Sequence, residues 1–197
     1  MRRDYVELRF HGRAGQGIVT ASRLLSSAFL AEGKYPQSVP LYGPQRRGAP
    51  VTVFLRVGHE KIRLRSWIEN PHCVVVLDQS LVDIVNVTNG LRPGGTILLN
   101  SGEGGDRFGF DRQFCVAAVP ADDLAYAFGL GEAPYPNINT LMLAAFSKIT
   151  GWVSLDSILT AAKDAFPPED DRLEQAMRQA YECTRVLREA VPSAVPS

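Results

Sequence analysis

Val6-Glu7-Leu8-Arg9-Phe10-His11-Gly12-Arg13-Ala14-Gly15-Gln16-Gly17-Ile18-Val19-Thr20-Ala21-Ser22-Arg23-Leu24-Leu25 is the stretch that decides the fold. Val6, Leu8 and Phe10 alternate with Glu7 and Arg9, the period-two pattern of a strand. Past the glycines, Ile18, Ala21, Leu25 and Ala28 recur at the helical period. Strand, glycine turn and helix together present bare backbone N–H groups and a helix N-terminus to an anion, usually a phosphate. A tight turn that only leads into a helix reads the same way by itself. The dinucleotide fingerprint G-x-G-x-x-G is out of register here, with Ala14 where the second glycine belongs. Glu32 lies at the distance of the ribose-holding acid, but it ends the helix pattern before Gly33 and does not tip a strand. No Gly-Lys-Ser/Thr closes the turn, which excludes a P-loop.

Outward from that turn, residues 34–50 read as a Pro/Gly/Arg-rich loop. Residues 51–57 and 61–65 alternate around Gly58-His59-Glu60, which predicts an antiparallel hairpin. Cys73-Val74-Val75-Val76-Leu77 is an apolar run of the kind buried on both faces of a sheet, and Asp78 and Ser80 can cap a helix over 80–89. Thr96-Ile97-Leu98-Leu99 follows Pro93-Gly94-Gly95 as another short strand. A glycine-rich loop over 101–109 leads into a strand over 114–119, and a helix near 121–128 follows Pro120. Helices are expected from Asn139 to Thr150, from Leu155 to Ala165 with Ser154 as cap, and near 169–190 on a stripe of Leu173, Met177, Ala180, Thr184 and Leu187. The expectation is one α/β domain over 1–197: a three-layer Rossmann-like fold with a mostly parallel sheet, a β-hairpin insertion and a helical C-terminus.

The chain of 197 residues carries 21 basic and 21 acidic side chains, so its net charge points to no polyanion. Residues 1–70 hold 12 Lys/Arg against 5 Asp/Glu, a balance of +7, and the remainder holds 9 against 16, a balance of −7. The basic part contains the glycine turn and Arg46-Arg47, which favours a discrete anionic ligand over nucleic acid. Cys73, Cys115 and Cys183 are far apart with no histidine at ligand spacing, so this chain builds no conventional zinc or iron–sulfur site. Buried reduced thiols, no apolar leader and no membrane-length apolar run lead to the expectation of a cytoplasmic protein without membrane contact.

Pro40-Leu41-Tyr42-Gly43-Pro44-Gln45-Arg46-Arg47-Gly48-Ala49-Pro50 is a stiffened loop carrying two adjacent arginines, the residue type suited to bidentate contact with phosphate or carboxylate. It is a solvated surface loop unless it shares the carboxyl edge of the sheet with the glycine turn, where ligands of open α/β sheets bind. In Pro134-Tyr135-Pro136-Asn137-Ile138-Asn139-Thr140, Asn139 suits an N-cap, leaving Asn137 and Thr140 for a ligand or partner chain. His11, His59 and His72 are scattered, and no nucleophilic triad, H-E-x-x-H or paired carboxylates stand out. A ligand site without catalytic machinery reads as a subunit.

Gly12 to Ser22, Gly33-Lys34-Tyr35, Tyr42 to Pro50 and Val75-Val76-Leu77-Asp78, with Asn137-x-Asn139-Thr140 before the late helix, span about 140 of the 197 residues. In order and spacing these blocks resemble the gamma subunit of 2-oxoacid:ferredoxin oxidoreductases, of which the pyruvate enzyme is the best-known member. Members often carry G-x-G-G-Q-G at the turn and Glu at the position of Gln45. Ala14 departs from the first pattern, and Gln45 removes any ion pair that the Glu would make. The resemblance implies an oligomeric enzyme that decarboxylates a 2-oxoacid on thiamine diphosphate with Mg. It sends electrons through [4Fe–4S] clusters to ferredoxin or another acceptor, and the acyl group to coenzyme A.

Thiamine-binding alpha and beta subunits and a ferredoxin-like delta subunit would hold those centres. The gamma subunit would be a Rossmann-like cover near the active site that contributes to coenzyme A binding, with no catalytic residue or metal of its own. On that basis Gly12, Arg13, Ala14, Gly15, Gln16, Gly17, Tyr42, Gly43, Arg46, Arg47, Asn137 and Thr140 form the candidate coenzyme A set. The turn and the arginine pair suit its pyrophosphate and 3′-phosphate. Two alternatives stay open: a stand-alone nucleotide-binding oxidoreductase with a degenerate Rossmann turn, and a purely structural subunit whose turn packs against partner chains.

Overall fold

β1 (Val6–Arg13) sends Leu8 and Phe10 into a core on one face of the sheet and Glu7, Arg9 and His11 to the other, as the alternation requires. A computed structural model describes residues 5–41, 48–102, 108–132, 135–166 and 171–191. The elements after β1 are α1 (Ile18–Ala31), β2 (Tyr35–Leu41), β3 (Pro50–Gly58), β4 (Cys73–Val76), β5 (Thr96–Asn100), β6 (Cys115–Val119) and α2 (Ala121–Ala127). A two-strand pair, β7 (Gly131–Glu132) with β8 (Tyr135–Pro136), precedes α3 (Asn139–Thr150), α4 (Leu155–Ala165), α5 (Arg172–Cys183) and β9 (Arg185–Arg188).

The main sheet has the order β2-β3-β1-β4-β5-β6-β9. β1, β4, β5 and β6 run parallel in register, whereas β2–β3, β3–β1 and β6–β9 are antiparallel. All five α-helices bury residues in the core of the first face, among them Leu25 and Phe29 of α1, Phe146 of α3 and Met177 of α5. Each side chain of this size stabilises the fold by about 1.5–3 kcal/mol when taken out of water. On the second face, Val74, Val76, Ile97, Leu99 and Val116 are covered by Val87, Leu91 and Phe114, none of which lies in an α-helix. No helix among the described residues is long and apolar enough to cross a membrane.

The sheet departs from the expectation in three places. It is mixed, with three parallel and three antiparallel pairings, where a mostly parallel sheet was expected. Residues 35–41 form a strand although Pro36 and Pro40 lie within it, because an edge strand tolerates proline where the missing N–H would face away from the sheet. Lys61–Arg65 form no strand, and no hairpin joins them to β3: both sides of β3 are taken, by β1 and β2.

The helices depart twice. The helix over 80–89 is a single 3-10 turn, Gln79–Asp83, with Asp78 accepting from Ser80 N. The last helix stops at Cys183, since Thr184 turns extended and the chain pairs with β6, where Leu187 packs on the second-face core. α2, α3 and α4 start as read from the sequence, with Ser154 Oγ accepting from Ser157 N at 3.1 Å.

Candidate functional site

The glycine turn leaves β1 at the carboxyl edge of the sheet. Gly15 (φ 103°) and Gly17 (φ 70°) occupy the left-handed region that a side chain resists, so the turn needs glycine at both. Gln16 folds back, its Oε1 accepting from Arg13 N at 2.7 Å. Ala14 exchanges backbone hydrogen bonds with residues 48 and 49: its N–H donates to Ala49 O at 2.9 Å and its carbonyl accepts from Gly48 N at 3.1 Å. The residues that lead into β3 are thereby fastened to the turn. Gly17 is the N-cap of α1, no side chain caps it, and no carboxylate stands in the first turn of the helix. The N-terminal end of a 14-residue helix thus carries its full partial positive charge.

The Arg13 guanidinium is engaged within the protein. Its Nε donates to Asp78 Oδ2 at 2.8 Å, its Nη1 to Gly48 O at 3.0 Å and its Nη2 to Ser80 Oγ at 2.7 Å. One guanidinium ties together three loops of the carboxyl edge. Burial would raise the Asp78 carboxyl, but Ser80 and then Arg13 outweigh it and hold the group below its ordinary value. His11, next along β1, is buried and accepts from Arg9 Nε at 3.0 Å; burial and the Arg9 charge push its pKa down to about 3, so it is neutral near pH 7. Glu32, at the ribose-acid distance, instead joins α1 to α4. Its Oε1 accepts from Ser154 N at 2.7 Å and Ser157 Oγ at 3.0 Å, and its Oε2 pairs with Lys34 at 2.8 Å.

Across from the turn, the start of α3 closes a cavity of about 420 Å³. Its polar wall is Gly15, Gly17, Thr20, Asn137, Asn139 and Thr140, and Leu130, Phe166 and Leu173 supply an apolar side. None of the described residues lining it carries a formal charge. Asn139 lies against Gly17, where a Cβ would come within 2.5 Å of its Nδ2. That contact is a second reason for the glycine at 17, beside its positive φ. Thr140 is 1 % exposed and its Oγ1 has no hydrogen-bond partner. A buried hydroxyl left unpaired costs about 1–3 kcal/mol.

Of the sequence-predicted residues, the structure gathers Gly15, Gly17, Asn137 and Thr140 around one cavity. Gly12, Arg13, Ala14 and Gln16 build the turn behind it. Tyr42, Gly43, Arg46 and Arg47 lie outside the described residues. The N-cap position of α3 belongs to Ile138, so Asn139 is the first helical residue, its Oδ1 accepting from Thr140 N at 2.8 Å. Sequence reasoning missed Thr20 and Asn139 as lining residues. Thr20 was detectable as the polar residue in the first turn of α1, while Asn139 required knowing that α3 faces Gly17. Burial raises the thiols of Cys73 and Cys115, and all three cysteines are free. Among the described residues, no group of three or more His, Cys, Asp or Glu could hold a metal ion.

Residues 7–183 match the sequence pattern of the family described as "Pyruvate ferredoxin/flavodoxin oxidoreductase". The chain belongs to that family. It is 42 % identical over 184 residues to pyruvate synthase subunit PorC of Methanothermobacter thermautotrophicus, covering 93 % of this chain and 98 % of that one. It is equally 42 % identical to the pyruvate/ketoisovalerate oxidoreductases common subunit gamma of Pyrococcus furiosus, over 92 % of this chain and 98 % of the relative. The crystal structure of pyruvate oxidoreductase subunit PORC from Thermotoga maritima superposes with a TM-score of 0.79 at 35 % identity, covering 93 % and 98 % of the two chains. This protein is therefore a gamma (PorC-type) subunit of a 2-oxoacid oxidoreductase complex.

Proposed function

We propose that this gamma subunit contributes to the coenzyme A site of a complex that oxidatively decarboxylates a 2-oxoacid to an acyl-coenzyme A, and that it covers the active site carried by its partners. The observation that carries the proposal is the cavity lined by the uncapped N-terminus of α1 and by Thr140, whose buried hydroxyl has no partner. Coenzyme A fits that donor set. The first-turn N–H groups of α1 suit a phosphate, Thr140 and Asn137 suit polar groups next to it, and Phe166 and Leu173 suit an apolar stretch of ligand. Its thiol supplies the acyl acceptor. Arg13 and Gln16 act here as positioning residues that hold the turn.

The partners of this proposal are thiamine-binding alpha and beta subunits, a ferredoxin-like delta subunit with [4Fe–4S] clusters, and ferredoxin or another electron acceptor. This chain does no covalent chemistry in it. It orients the cosubstrate and closes the site to water, the kind of contribution that makes a bimolecular acyl transfer effectively unimolecular. Arg46 and Arg47, which precede in sequence the residues 48 and 49 bonded to the turn, are the cations assigned to the 3′-phosphate.

Thr140→Val in the assembled complex tests the proposal. The KM for coenzyme A is expected to rise about 3- to 10-fold, the value of one hydrogen bond. Reduction of an artificial acceptor by 2-oxoacid in a single turnover without coenzyme A should be unchanged, and Thr140→Ser should restore the wild-type KM. Unaltered coenzyme A kinetics in Thr140→Val, Arg46→Ala and Arg47→Ala alike would remove the ligand from this chain and leave it a structural subunit.

A further inference from the structure

A second concave surface lies at the β2 edge, on the face of the sheet that no α-helix among the described residues covers. Residues 59–70 cross this face after β3, and Gln37 Nε2 on β2 donates to Leu64 O at 2.9 Å to hold them there. The rings of Phe54 and Trp67 pack with centroids 5.6 Å apart. With Val39, Leu64, Arg56 and Arg65 they line a groove of about 250 Å³. Val39, Leu64 and Trp67 are 40 %, 41 % and 56 % exposed, and Leu41, one strand repeat beyond Val39, is exposed as well. Several large apolar side chains open to solvent around one groove mark an interaction surface.

The surroundings of the groove select its occupant. Lys61, Arg63 and Arg65 are exposed on the crossing segment, and none of them forms an ion pair among the described residues; Glu60 and Glu69 stand outside them at its two ends. Arg56 beneath them is already paired, Nε to Glu7 Oε1 at 2.8 Å. Pro36 and Pro40, four residues apart and so on the same side of β2, remove N–H groups from the open edge, so a partner cannot extend the sheet there. A second copy of this chain docked across a two-fold axis would set the three cations against themselves.

We infer that the groove between β2–β3 and residues 61–68 seats an apolar side-chain cluster of another subunit of the same complex, ringed by carboxylates that pair with Lys61, Arg63 and Arg65. The inference rests on the chain's membership of a multi-subunit enzyme and is independent of the coenzyme A proposal. The test uses the assembled complex. A zero-length carbodiimide, which joins an amine to a carboxylate, should couple Lys61 to an Asp or Glu of a different subunit, read out by peptide mass spectrometry.

The double variant Arg63→Glu/Arg65→Glu should be lost from the complex on size exclusion at about 0.15 M salt, where the wild-type chain is retained. Trp67→Ser should be lost likewise, with the melting temperature of each variant chain reporting that it still folds. Coupling of Lys61 only to Glu60 or Glu69 of its own chain, or to a second copy of the chain, would overturn the inference. So would full retention of both folded variants. The cross-link on the unmodified complex decides the matter even if a variant fails to fold.

Discussion

The cavity at the glycine turn and the groove at the β2 edge share the basic part of the chain, yet they use charge in opposite ways. The described cation beside the turn, Arg13, is spent on Asp78, Gly48 and Ser80, and the cavity wall in front of it is neutral. What the cavity wall carries is uncharged: the N–H groups of an uncapped helix end, and Thr140 with its buried side-chain hydroxyl. The groove has no helix end and instead carries Lys61, Arg63 and Arg65 in solvent around an aromatic floor. Excess positive charge in a stretch of sequence therefore does not locate its anion site. A guanidinium already paired within the protein positions loops, while a free one is available to a partner.

The largest effect that sharpens this contrast is expected from Gly17→Ala. The left-handed φ costs a side chain about 1–2 kcal/mol, and the new Cβ would lie 2.5 Å from Asn139 Nδ2, forcing Asn139 out of the cavity wall. Chemical denaturation should show the stability loss, and the KM for coenzyme A should rise more than tenfold while assembly through the groove is untouched. Gly15→Ala is the control: its φ of 103° is equally unsuited to a side chain, but nothing lies within 4 Å of the added Cβ. It should lose stability with a smaller effect on coenzyme A. Equal effects of the two variants would break the link between Asn139 and the ligand.

A smaller effect is expected from Asp78→Asn, which releases Arg13. Stability should fall by about 1.5–3 kcal/mol, the worth of a hydrogen bond to a charged partner. The Asp78 carboxyl is lowered in the folded chain, so its contribution is complete above the unfolded-state value near 4 and is lost as pH falls through the lower folded value. Denaturation curves at stepped pH should show that the variant lacks this part of the acid dependence. An unchanged acid limb would mean that Arg13 and Asp78 are not coupled in solution.

The sequence disclosed the turn, α1 and the parallel strands because each rests on a local pattern: glycines at positive φ, a 3.6-residue apolar period, or an unbroken apolar run. β2 was illegible because proline argues against a strand unless the strand is known to be an edge. The hairpin expected over 61–65 failed for a non-local reason, since β1 and β2 already flank β3. The end of α5 misled because Thr184 and Leu187 continue the helical spacing while their packing belongs to β6 and the second face. In the site, the turn and residues 137–140 could be named from sequence, but Asn139 resting on Gly17 and the orphaned Thr140 hydroxyl exist only once α3 is laid across the turn.

Hydrogen–deuterium exchange on the assembled complex, with and without saturating coenzyme A, tests the central claim most directly. Slowed exchange over residues 15–20 and 137–140, with residues 61–68 unchanged by the ligand, is the predicted result. Unaltered exchange over residues 15–20 while coenzyme A turns over at its maximal rate would contradict it.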